Sequence, residues 1–316
     1  MLRALGSLLF YGRFLRSFSA LGFQRRSTEW EELEPDFSGQ RWLVTGATGG
    51  IGRAVALAAN RCGATVLALA RDTGKLDALR EDAEHPEAVV LIPVDLASIA
   101  DVRALGDHDE IRGETIDVLV NNVGVLLNDF STTDEGLEVS FATNLLGPFV
   151  LTGQLHEQGL LNPDGIVVNV SSGGMYGTPL KLEQMNCRDG GDYDGMAAYA
   201  MHKRAMVVLT RYWNERWSHQ PAVQVMHPGW VDTAGVQSSL PLFRRVLGKW
   251  LRDAEQGADT ILWLAAERPA LPSDGGIWLD RALKPEHEFA FTRKSDHDPD
   301  DLVAFLARNA ETEAGD

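Results

Sequence analysis

Short apolar runs alternate with helical patterns between residues 41 and 281. The runs that predict strands are residues 41–45, 65–70, 88–94, 118–121, 166–169, 223–226 and 277–279. Helical periodicity lies between them at residues 52–61, 74–84, 99–107, 136–158, 197–216 and 254–266. Strands that alternate with helices form βαβ units, in which the strands pair in parallel and the helices cover the sheet. The pattern therefore predicts an α/β protein with a doubly wound, parallel, seven-stranded sheet and helices on both faces.

Three regions are predicted from the same pattern. No repeat, low-complexity tract or Pro/Gly/Ser linker divides residues 39–284, so they are predicted to form one domain. Residues 1–38 precede it as a basic, aromatic extension that ends in an acidic linker. Residues 285–316 follow as an acidic tail, which looks helical near residues 302–306 and carries no candidate chemistry.

The first 28 residues contain five arginines and no acidic residue. At helical spacing, Arg13 and Arg16 lie opposite an apolar stripe made of Phe10, Tyr11, Phe14, Leu15, Phe18 and Leu21. Arginines interrupt the stripe, which is too short to span a bilayer, and no signal-peptide cleavage site follows it. Three interpretations stay open: a helix packed on the domain, an interfacial helix in peripheral contact with a membrane, or a transit peptide.

The composition is that of a soluble globular protein, with 44% hydrophobic and 8% aromatic residues. The net charge of −16 argues against a nucleic-acid partner, because phosphate binding needs a basic face. The two cysteines, Cys62 and Cys187, make neither a disulfide framework nor a metal cluster. We therefore expect no metal and a cytoplasmic location, with membrane association depending on the extension.

The sequence TGATGGIG, residues 45–52, lies between the first predicted strand and the first predicted helix. A dinucleotide-binding turn needs this context, because the backbone turns sharply, approaches a pyrophosphate and starts a helix whose free N–H groups face the anion. The predicted cofactor contacts in the turn are Thr45, Gly46, Thr48, Gly50, Ile51 and Gly52. The same residues also satisfy a second nucleotide-binding spacing through Gly46, Gly49 and Gly52, and an ordinary tight turn is the alternative.

Polar residues follow the next three predicted strands. Arg71 would pair with a 2′-phosphate on the adenosine ribose, which favours NADP(H), whereas the neighbouring Asp72 leaves NAD(H) open. Asp95 would accept a hydrogen bond from the adenine amino group or cap the next helix. Asn122 and Gly124, in the sequence Asn-Asn-Val-Gly, would line the cofactor or form an ordinary turn.

Tyr199 and Lys203 are the candidates for proton transfer. They are four residues apart in a predicted helix, so the phenol and the ammonium share a face. The ammonium and an oxidised nicotinamide would lower the pKa of the phenol towards working pH. Ser172, which lies farther out of the fifth strand than Ser171, would orient the substrate oxygen. Asn144 would hold a relay water or satisfy a kinked helix backbone.

Together these residues resemble the classical short-chain dehydrogenase/reductase family. The turn matches its TGxxxGxG motif, and Asn-Asn-Val-Gly stands where Asn-Asn-Ala-Gly is usual. The positions that match its catalytic set are Asn144, Ser172, Tyr199 and Lys203. The resemblance implies a Rossmann-type fold in which Tyr199 and Lys203 also contact the cofactor.

The sequence His-Pro-Gly-Trp-Val-Asp-Thr, residues 227–233, matches a further family segment that contacts the nicotinamide carboxamide. The implied contacts are Pro228, Gly229, Val231 and Thr233. Two features depart from the common pattern. His202 replaces the serine that usually precedes the lysine, and the interval between Ser172 and Tyr199 is long, which resembles the retinol-dehydrogenase-like branch.

The resemblance implies an oxidoreductase that transfers a hydride between NADP(H), or NAD(H), and a carbonyl or alcohol. Residues 175–196 and 234–252 would flank the mouth of the site, and the second segment would form a mobile lid. Its many apolar side chains predict an apolar alcohol, aldehyde or ketone as substrate, unless they pack on the core or on another subunit of a homo-oligomer. The rival functions are a non-catalytic, membrane-associated dinucleotide sensor and an extended-type epimerase.

Overall fold

The computed structural model describes residue 12 and residues 14–187, 189–191, 193–272 and 275–311. Its strands are β1 (Arg41–Thr45), β2 (Thr65–Ala70), β3 (Val89–Pro93), β4 (Ile116–Asn121), β5 (Leu161–Val170), β6 (Ala222–Met226), β7 (Ile277–Leu279) and β8 (Ala282–Lys284). They form one sheet in the order β3-β2-β1-β4-β5-β6-β7-β8. From β1 the chain first adds β2 and β3 on one side, and then adds β4 and the later strands on the other side. Wound sheets bind ligands at the point between β1 and β4 where this direction reverses.

Helices connect the strands and cover both faces of the sheet. They are α1 (Ala20–Ser27), α2 (Gly50–Arg61), α3 (Thr73–Glu81), α4 (Ile99–Ala104), α5 (Asp109–Arg112), α6 (Gly147–Glu157), α7 (Gly195–Arg216), α8 (Ala234–Ser239), α9 (Pro241–Leu247), α10 (Ala254–Glu267) and α11 (Pro299–Ala310). A helical turn, Val139–Phe141, and a π-helical segment, Ala142–Leu146, lead into α6. The predicted Rossmann-type architecture is confirmed.

Alternate side chains of each strand enter two separate cores. Leu43 of β1 belongs to a cluster with residues of α4, α6, α7 and α11. Its neighbours Trp42 and Val44 belong to a second cluster with residues of α2, α3 and α10. Successive residues of a strand point to opposite faces, so a parallel strand covered on both sides reads as one continuous apolar run. This is why the sequence pattern locates the parallel strands well.

The sheet has an eighth strand that the sequence pattern does not predict. β8 pairs with β7 in the antiparallel direction, whereas β1 to β7 pair in parallel. Asp280 and Arg281 join the two strands with positive φ values of 52° and 55°. Two-residue hairpin turns need such angles and usually take Asn-Gly. Asp-Arg gives no turn signal, and ion pairs from Arg252 to Asp280 and from Arg281 to Asp259 hold it in this conformation.

The N-terminal segment packs on the domain from residue 14 onward. Phe14 and Phe18 are 4% and 2% exposed and stack on each other and on Tyr176. Of the three interpretations, packing on the domain therefore holds for the described part of the segment. Leu21 departs from the predicted stripe, because it is 58% exposed. Phe10, Tyr11 and Arg13 of the predicted pattern lie outside the described residues.

A buried ion cluster fixes this segment to the far edge of the sheet. The Asp280 carboxylate is 1% exposed and accepts hydrogen bonds from Arg252, at 2.6 and 2.9 Å, and from Nε of Arg26 in α1, at 2.8 Å. Arg252 also donates to the carbonyl oxygens of Ser17 and Phe18, at 3.1 and 3.0 Å. The segment is thus joined to the hairpin between β7 and β8 through charged groups that are themselves paired.

The acidic tail contributes to the folded body as well. The helix expected near residues 302–306 extends over Pro299–Ala310. Its Leu302 and Leu306 are fully buried in the core that contains α7. None of the helices in the described part of the chain has both the length and the apolar character needed to cross a bilayer.

Candidate active site

The glycine turn follows β1 and begins α2. Gly46 and Gly50 have φ values of 65° and 50°, which residues with a side chain rarely adopt. A Cβ on Gly52 would lie 2.3 Å from the carbonyl oxygen of Gly46 and 2.5 Å from Nδ2 of Asn122. A Cβ on Gly49 would meet nothing within 4 Å. Glycine is therefore required at Gly46, Gly50 and Gly52. It is not required at Gly49, which the alternative spacing includes.

The start of α2 is suited to an anion. Gly49 is the N-cap residue, so no side chain accepts hydrogen bonds from the first amides of the helix. Free amides and the helix dipole at this end favour a phosphate group. Thr48 is partly exposed in the same turn, whereas Ile51 is buried beside Gly257 of α10. Any cofactor contact of Ile51 would therefore come from its backbone.

Thr45 and Asn122 join the carboxyl ends of β1 and β4. The Thr45 hydroxyl donates to the carbonyl of Val120 at 3.1 Å and accepts from the backbone N–H groups of Asn122 and Val123, at 2.9 and 3.1 Å. The Asn122 amide donates to the Thr45 carbonyl at 2.9 Å. These bonds fix the two strand ends on either side of the crevice where the winding reverses.

Arg71 and Asp95 meet at the ends of β2 and β3. The Arg71 guanidinium lies 3.7 Å from the Asp95 carboxylate, and both side chains are exposed. Asp72 instead accepts from the backbone N–H of Lys75 at 3.1 Å, as the N-cap of α3. The helix after β3 is capped by Ser98, so Asp95 does not cap it as one interpretation expected. Asp72 is thus engaged at a helix start, whereas the Arg71 guanidinium stays exposed at the strand end.

Tyr199 lies in the second turn of α7, close to the end of β5. A hydrogen bond links its phenol to the Ser172 side chain. The Ser172 hydroxyl also accepts from the backbone N–H of Gly174 at 3.3 Å. The Ser171 hydroxyl is buried and donates to the carbonyl of Lys203 at 2.8 Å. The fold therefore brings Ser172 to Tyr199 and uses Ser171 to attach β5 to α7.

Burial raises the pKa of the Tyr199 phenol, and the hydrogen bond from Ser172 offsets only part of this effect. The expectation of a lowered pKa is therefore wrong for the protein alone. The Lys203 ammonium lies 5.8 Å from the centre of the phenol ring and donates to backbone carbonyls. The expectation also relied on a second positive charge, which a bound, oxidised nicotinamide would supply.

Lys203 is buried between β4 and β5. Its Nζ donates to the carbonyls of Val170 and Val123, at 2.9 and 3.4 Å. Burial lowers the pKa of this ammonium to about 8. A Cβ on Gly124 would lie 3.1 Å from Nζ, so glycine lets the loop after β4 approach the charge this closely. The pair of carbonyls holds the ammonium in one place without neutralising it.

Asn144 is fully buried in the π-helical segment. Its side chain accepts from the backbone N–H of Val125 and donates to the carbonyl of the same residue, both at 2.7 Å. Both amide groups are thus used to clamp the loop after β4. A relay water would find the second N–H of this amide and the backbone of the segment as partners, and π turns within α-helices often occur at functional sites.

The loop after β6 meets the glycine turn. Thr233 is the N-cap of α8 and accepts from the backbone N–H of Val236 at 3.3 Å. Its Cγ2 would lie 3.0 Å from a Cβ on Gly50. The predicted nicotinamide segment and the predicted pyrophosphate segment therefore lie side by side.

The sequence predictions give Arg252 and Phe18 no part in this loop, although both support it. Gly229 has a φ of 76°, and a Cβ there would lie 2.6 Å from the Arg252 guanidinium and from the carbonyl of Phe18. Arg252 donates to the carbonyl of Pro228 at 3.0 Å, and its backbone pairs with that of Val231. The Phe18 ring also covers Gly173, next to Ser172. Their partners are distant in the chain, so no local pattern reveals these roles.

The segment between Ser172 and Tyr199 is anchored on the body by two buried groups. His202 Nε2 donates to the carbonyl of Met185 at 2.8 Å, and burial lowers the pKa of this imidazole to about 4. Glu138 accepts from the Tyr193 phenol at 3.1 Å. His202, which replaces the usual serine, thus attaches the long insert to α7. Glu138 was not singled out from the sequence, because a lone carboxylate before a helix carries no distinctive signal.

The lid segment lies against the loop after β4. The Ser239 hydroxyl donates to the carbonyl of Leu126 at 2.5 Å, and the Asn128 amide donates to the carbonyl of Ser239 at 3.2 Å. Arg244 of α9 pairs with Asp232 at 2.8 Å. These contacts attach α8 and α9 to the loops after β4 and β6, whereas their role as a lid stays a prediction.

The arrangement is that of an acid–base centre beside a nucleotide crevice. A phenol, a hydroxyl and an ammonium converge near the carboxyl ends of β4 and β5. Within the described ranges, no group of three or more His, Cys, Asp or Glu side chains could hold a metal ion. Proton transfer combined with a bound redox group is the chemistry that these side chains support.

Comparison with known proteins agrees with this chemistry. Residues 40–183 match the short chain dehydrogenase family. Dehydrogenase/reductase SDR family member 12 of Bos taurus is 36% identical over 95% of this chain and 96% of its own length. Polyprenol dehydrogenase of Mus musculus is 33% identical over 78% of this chain and 76% of its own length.

Solved structures show the same fold. An uncharacterized protein from Mycobacterium paratuberculosis has a TM-score of 0.69 and 26% identity, over 89% of this chain and 97% of that one. A Beutenbergia cavernae protein, provisionally assigned as an NAD(P)-dependent gluconate 5-dehydrogenase and solved with NADP at low occupancy, has a TM-score of 0.57 and 25% identity, over 73% and 91%. The chain therefore belongs to the short-chain dehydrogenase/reductase family, a family of NAD(P)-dependent oxidoreductases.

Proposed function

We propose that this protein interconverts a carbonyl and an alcohol on an apolar substrate with NADP(H) as the preferred cofactor, and that Tyr199 is its general acid and base. The observation that carries the proposal is the hydrogen-bonded pair of Tyr199 and Ser172, one helical turn from the buried ammonium of Lys203. A binding-only sensor would have no use for this set of converging donors, which weighs against that rival.

The residues around the crevice fit a dinucleotide. The uncapped start of α2 and the open space at Gly49 would receive the pyrophosphate. Lys203 would hold the nicotinamide ribose, and the backbone near Thr233 would meet the carboxamide. The epimerase alternative was suggested by the spacing through Gly49. A side chain at Gly49 would meet no steric obstacle, so this spacing gives no support to that alternative.

Arg71 supports the preference for NADP(H). Its pairing with Asp95 is long, at 3.7 Å, and solvent-exposed, so the guanidinium can turn to a 2′-phosphate at little cost. A phosphate offers a charge-assisted, bidentate partner that a 2′-hydroxyl does not. Asp72, the residue that favours NAD(H), is committed to capping α3.

The side chains divide the reaction between them. Ser172 donates a hydrogen bond to the substrate oxygen and orients the carbonyl towards Tyr199. When bound, the nicotinamide supplies the hydride for the carbonyl carbon. Tyr199 gives its phenolic proton to the developing alkoxide, and the Lys203 ammonium stabilises the phenolate that remains. Asn144 holds the loop after β4, and with it the strand end that faces Lys203.

The state of Tyr199 favours reduction. Because burial raises the pKa of its phenol, the group is protonated at neutral pH and is ready to act as an acid. Oxidation of an alcohol would need the phenolate, which forms only when positive charge is added nearby. The protein without cofactor therefore holds Tyr199 in the form that carbonyl reduction requires.

Two observations support an apolar substrate. The loop after β6 and the lid carry apolar side chains, including Trp230 and Phe243, whose ring centroids are 5.4 Å apart. A relative 33% identical to this chain is named polyprenol dehydrogenase. A series of aldehydes and ketones of rising chain length should show kcat/KM increasing with hydrophobicity. Turnover that is indifferent to chain length would refute this part of the proposal.

The acid–base role is tested by Tyr199→Phe, which removes only the phenolic oxygen. We expect NADPH oxidation with a carbonyl substrate to fall by roughly 100-fold or more, since general acid catalysis contributes about that much. NADPH binding, followed by fluorescence titration, should change little. Tyr212→Phe, on the same helix, is the matched control and should keep full activity. Wild-type turnover in the Tyr199→Phe protein would refute the assignment.

The cofactor preference is tested separately with Arg71→Ser. Loss of a charge-assisted pair to the 2′-phosphate should weaken NADPH binding by roughly 10- to 100-fold and leave NADH binding unchanged. Arg61→Ser, at the far end of α2, is a control that removes an arginine away from the ribose. Equal loss for both cofactors would show that Arg71 acts on the fold and does not select the phosphate.

A further inference from the structure

Helix α9 exposes an apolar face to solvent. Leu242 and Val246 are 70% and 63% exposed, and they are four residues apart, so they lie one above the other on the same side of the helix. A pair of large apolar side chains left this open on a short surface helix is unusual unless something covers it.

Positive charge accompanies this apolar pair. Arg245 lies on the same face, and Lys249 follows in the next turn; both are exposed. Residues 233–252 contain no Asp or Glu, although the whole chain has a net charge of −16. Arg244 and Arg252 of this segment are already paired with carboxylates, whereas no ion pair involves Arg245 or Lys249 within the described part of the chain.

The other side of α9 is attached to the active-site region. The Phe243 ring packs edge-on against Trp230, at 5.4 Å, and Trp230 packs against Phe18, at 5.8 Å. Ser239, the last residue of α8, bonds to the loop after β4. The exposed face of α9 therefore lies opposite the side through which this segment is attached to the loops after β4 and β6.

We propose that Leu242, Arg245, Val246 and Lys249, here called the α9 face, dock this protein on the surface of a lipid bilayer that contains anionic headgroups. Apolar side chains flanked by cations insert at the headgroup boundary while the cations meet the phosphates and carboxylates of the lipids. Outside residues 1–28 and this segment the chain is strongly acidic and is repelled by such a surface, so the α9 face also contributes to the orientation.

A second copy of the chain is a poorer occupant. Two α9 faces would bring four unpaired cations together, and two apolar side chains per copy are far fewer than a standard interface of about 800 Å² per partner contains. A bilayer supplies both the missing anions and the apolar medium. If the proposed function holds, an apolar substrate would pass from the membrane to the site beneath the lid without crossing water.

Vesicle flotation of the full-length protein tests the docking. Wild type should float with vesicles of phosphatidylcholine and phosphatidylserine and should not float with phosphatidylcholine alone. Arg245→Gln with Lys249→Gln should weaken partitioning by roughly 30-fold, since each cation near an anionic surface contributes about fivefold. Leu242→Asn with Val246→Asn should weaken it by about tenfold or more. Lys75→Gln with Arg80→Gln and Phe291→Asn are matched controls elsewhere on the surface and should float like wild type.

Four results would overturn the proposal: no flotation of wild type, equal flotation of the α9-face variants, loss of flotation on deleting residues 1–11 but not on changing the α9 face, or an α9-dependent dimer that does not bind vesicles. Circular dichroism checks that each variant folds, and single substitutions at Arg245 or Val246 replace any double variant that does not. NADPH oxidation with a water-soluble aldehyde, measured without vesicles, tests the proposed function independently. Its failure would leave the flotation result interpretable.

Discussion

A methyl group added at Gly52 would have no room. Its Cβ would lie 2.3 Å from the carbonyl oxygen of Gly46 and 2.5 Å from Nδ2 of Asn122. Both neighbours are held in place, because Gly46 is backbone and the Asn122 amide is bonded to the Thr45 carbonyl at 2.9 Å. Gly52→Ala must therefore displace either the glycine turn or the junction between β1 and β4.

The size of the effect follows from these contacts. Overpacking costs about 1–3 kcal/mol, and a broken buried hydrogen bond costs about as much again. The better helix propensity of alanine offsets about 1 kcal/mol. We therefore expect the free energy of unfolding to fall by about 1–5 kcal/mol. NADPH affinity should fall by roughly 10- to 100-fold, because the first amides of α2 move with the turn.

Gly49→Ala provides a control of equal volume in the same turn. Gly49 is extended, with a φ of −153°, and a Cβ there meets nothing within 4 Å, so the change should cost less than about 1 kcal/mol. Urea denaturation would measure stability, and fluorescence titration would measure NADPH affinity. If Gly52→Ala matched wild type, or if Gly49→Ala were the more damaging change, the assignment of the glycine roles would be refuted.

Three further predictions concern stability and pH. Asp280→Asn should lower the free energy of unfolding, measured in urea, by about 3–5 kcal/mol, because Arg252 would keep a buried charge without its carboxylate. Asp82→Asn breaks an exposed ion pair and should lower it by about 1 kcal/mol or less. Phe18→Ala should lower the free energy of unfolding by about 3–5 kcal/mol, because the ring is buried. It should also lower kcat more than NADPH affinity, because the ring supports Gly173 beside Ser172. An unchanged kcat would refute this support role. Carbonyl reduction should be steady from neutral pH to about 8 and then decline, since the Lys203 ammonium, with a pKa of about 8, is charged below that pH and neutral above it. A rate that rises through this range would contradict the role given to the ammonium.

Local patterns were enough to predict the parallel sheet and the residues that gather at its edge. β1 to β7 are buried on both faces, so each appears in the chain as an apolar run, and parallel strands must end at one common edge. Helical spacing alone pairs Tyr199 with Lys203, because four residues make about one turn. Chain order and short-range geometry therefore sufficed for the parallel sheet and for the grouping of these residues at one edge.

Tertiary contacts decided the features whose causes lie far apart in the sequence. β8 and its Asp280–Arg281 turn depend on Arg252, and the N-terminal segment is held by Phe18 and Arg26, which no local pattern connects to them. The position in the strand already favoured Ser172 over Ser171, but only the fold shows that Ser171 bonds to the Lys203 carbonyl whereas Ser172 interacts with the Tyr199 phenol. The pKa of Tyr199 moves upward because burial outweighs the hydrogen bond from Ser172, and burial is a property of the packed molecule that the order of residues does not show.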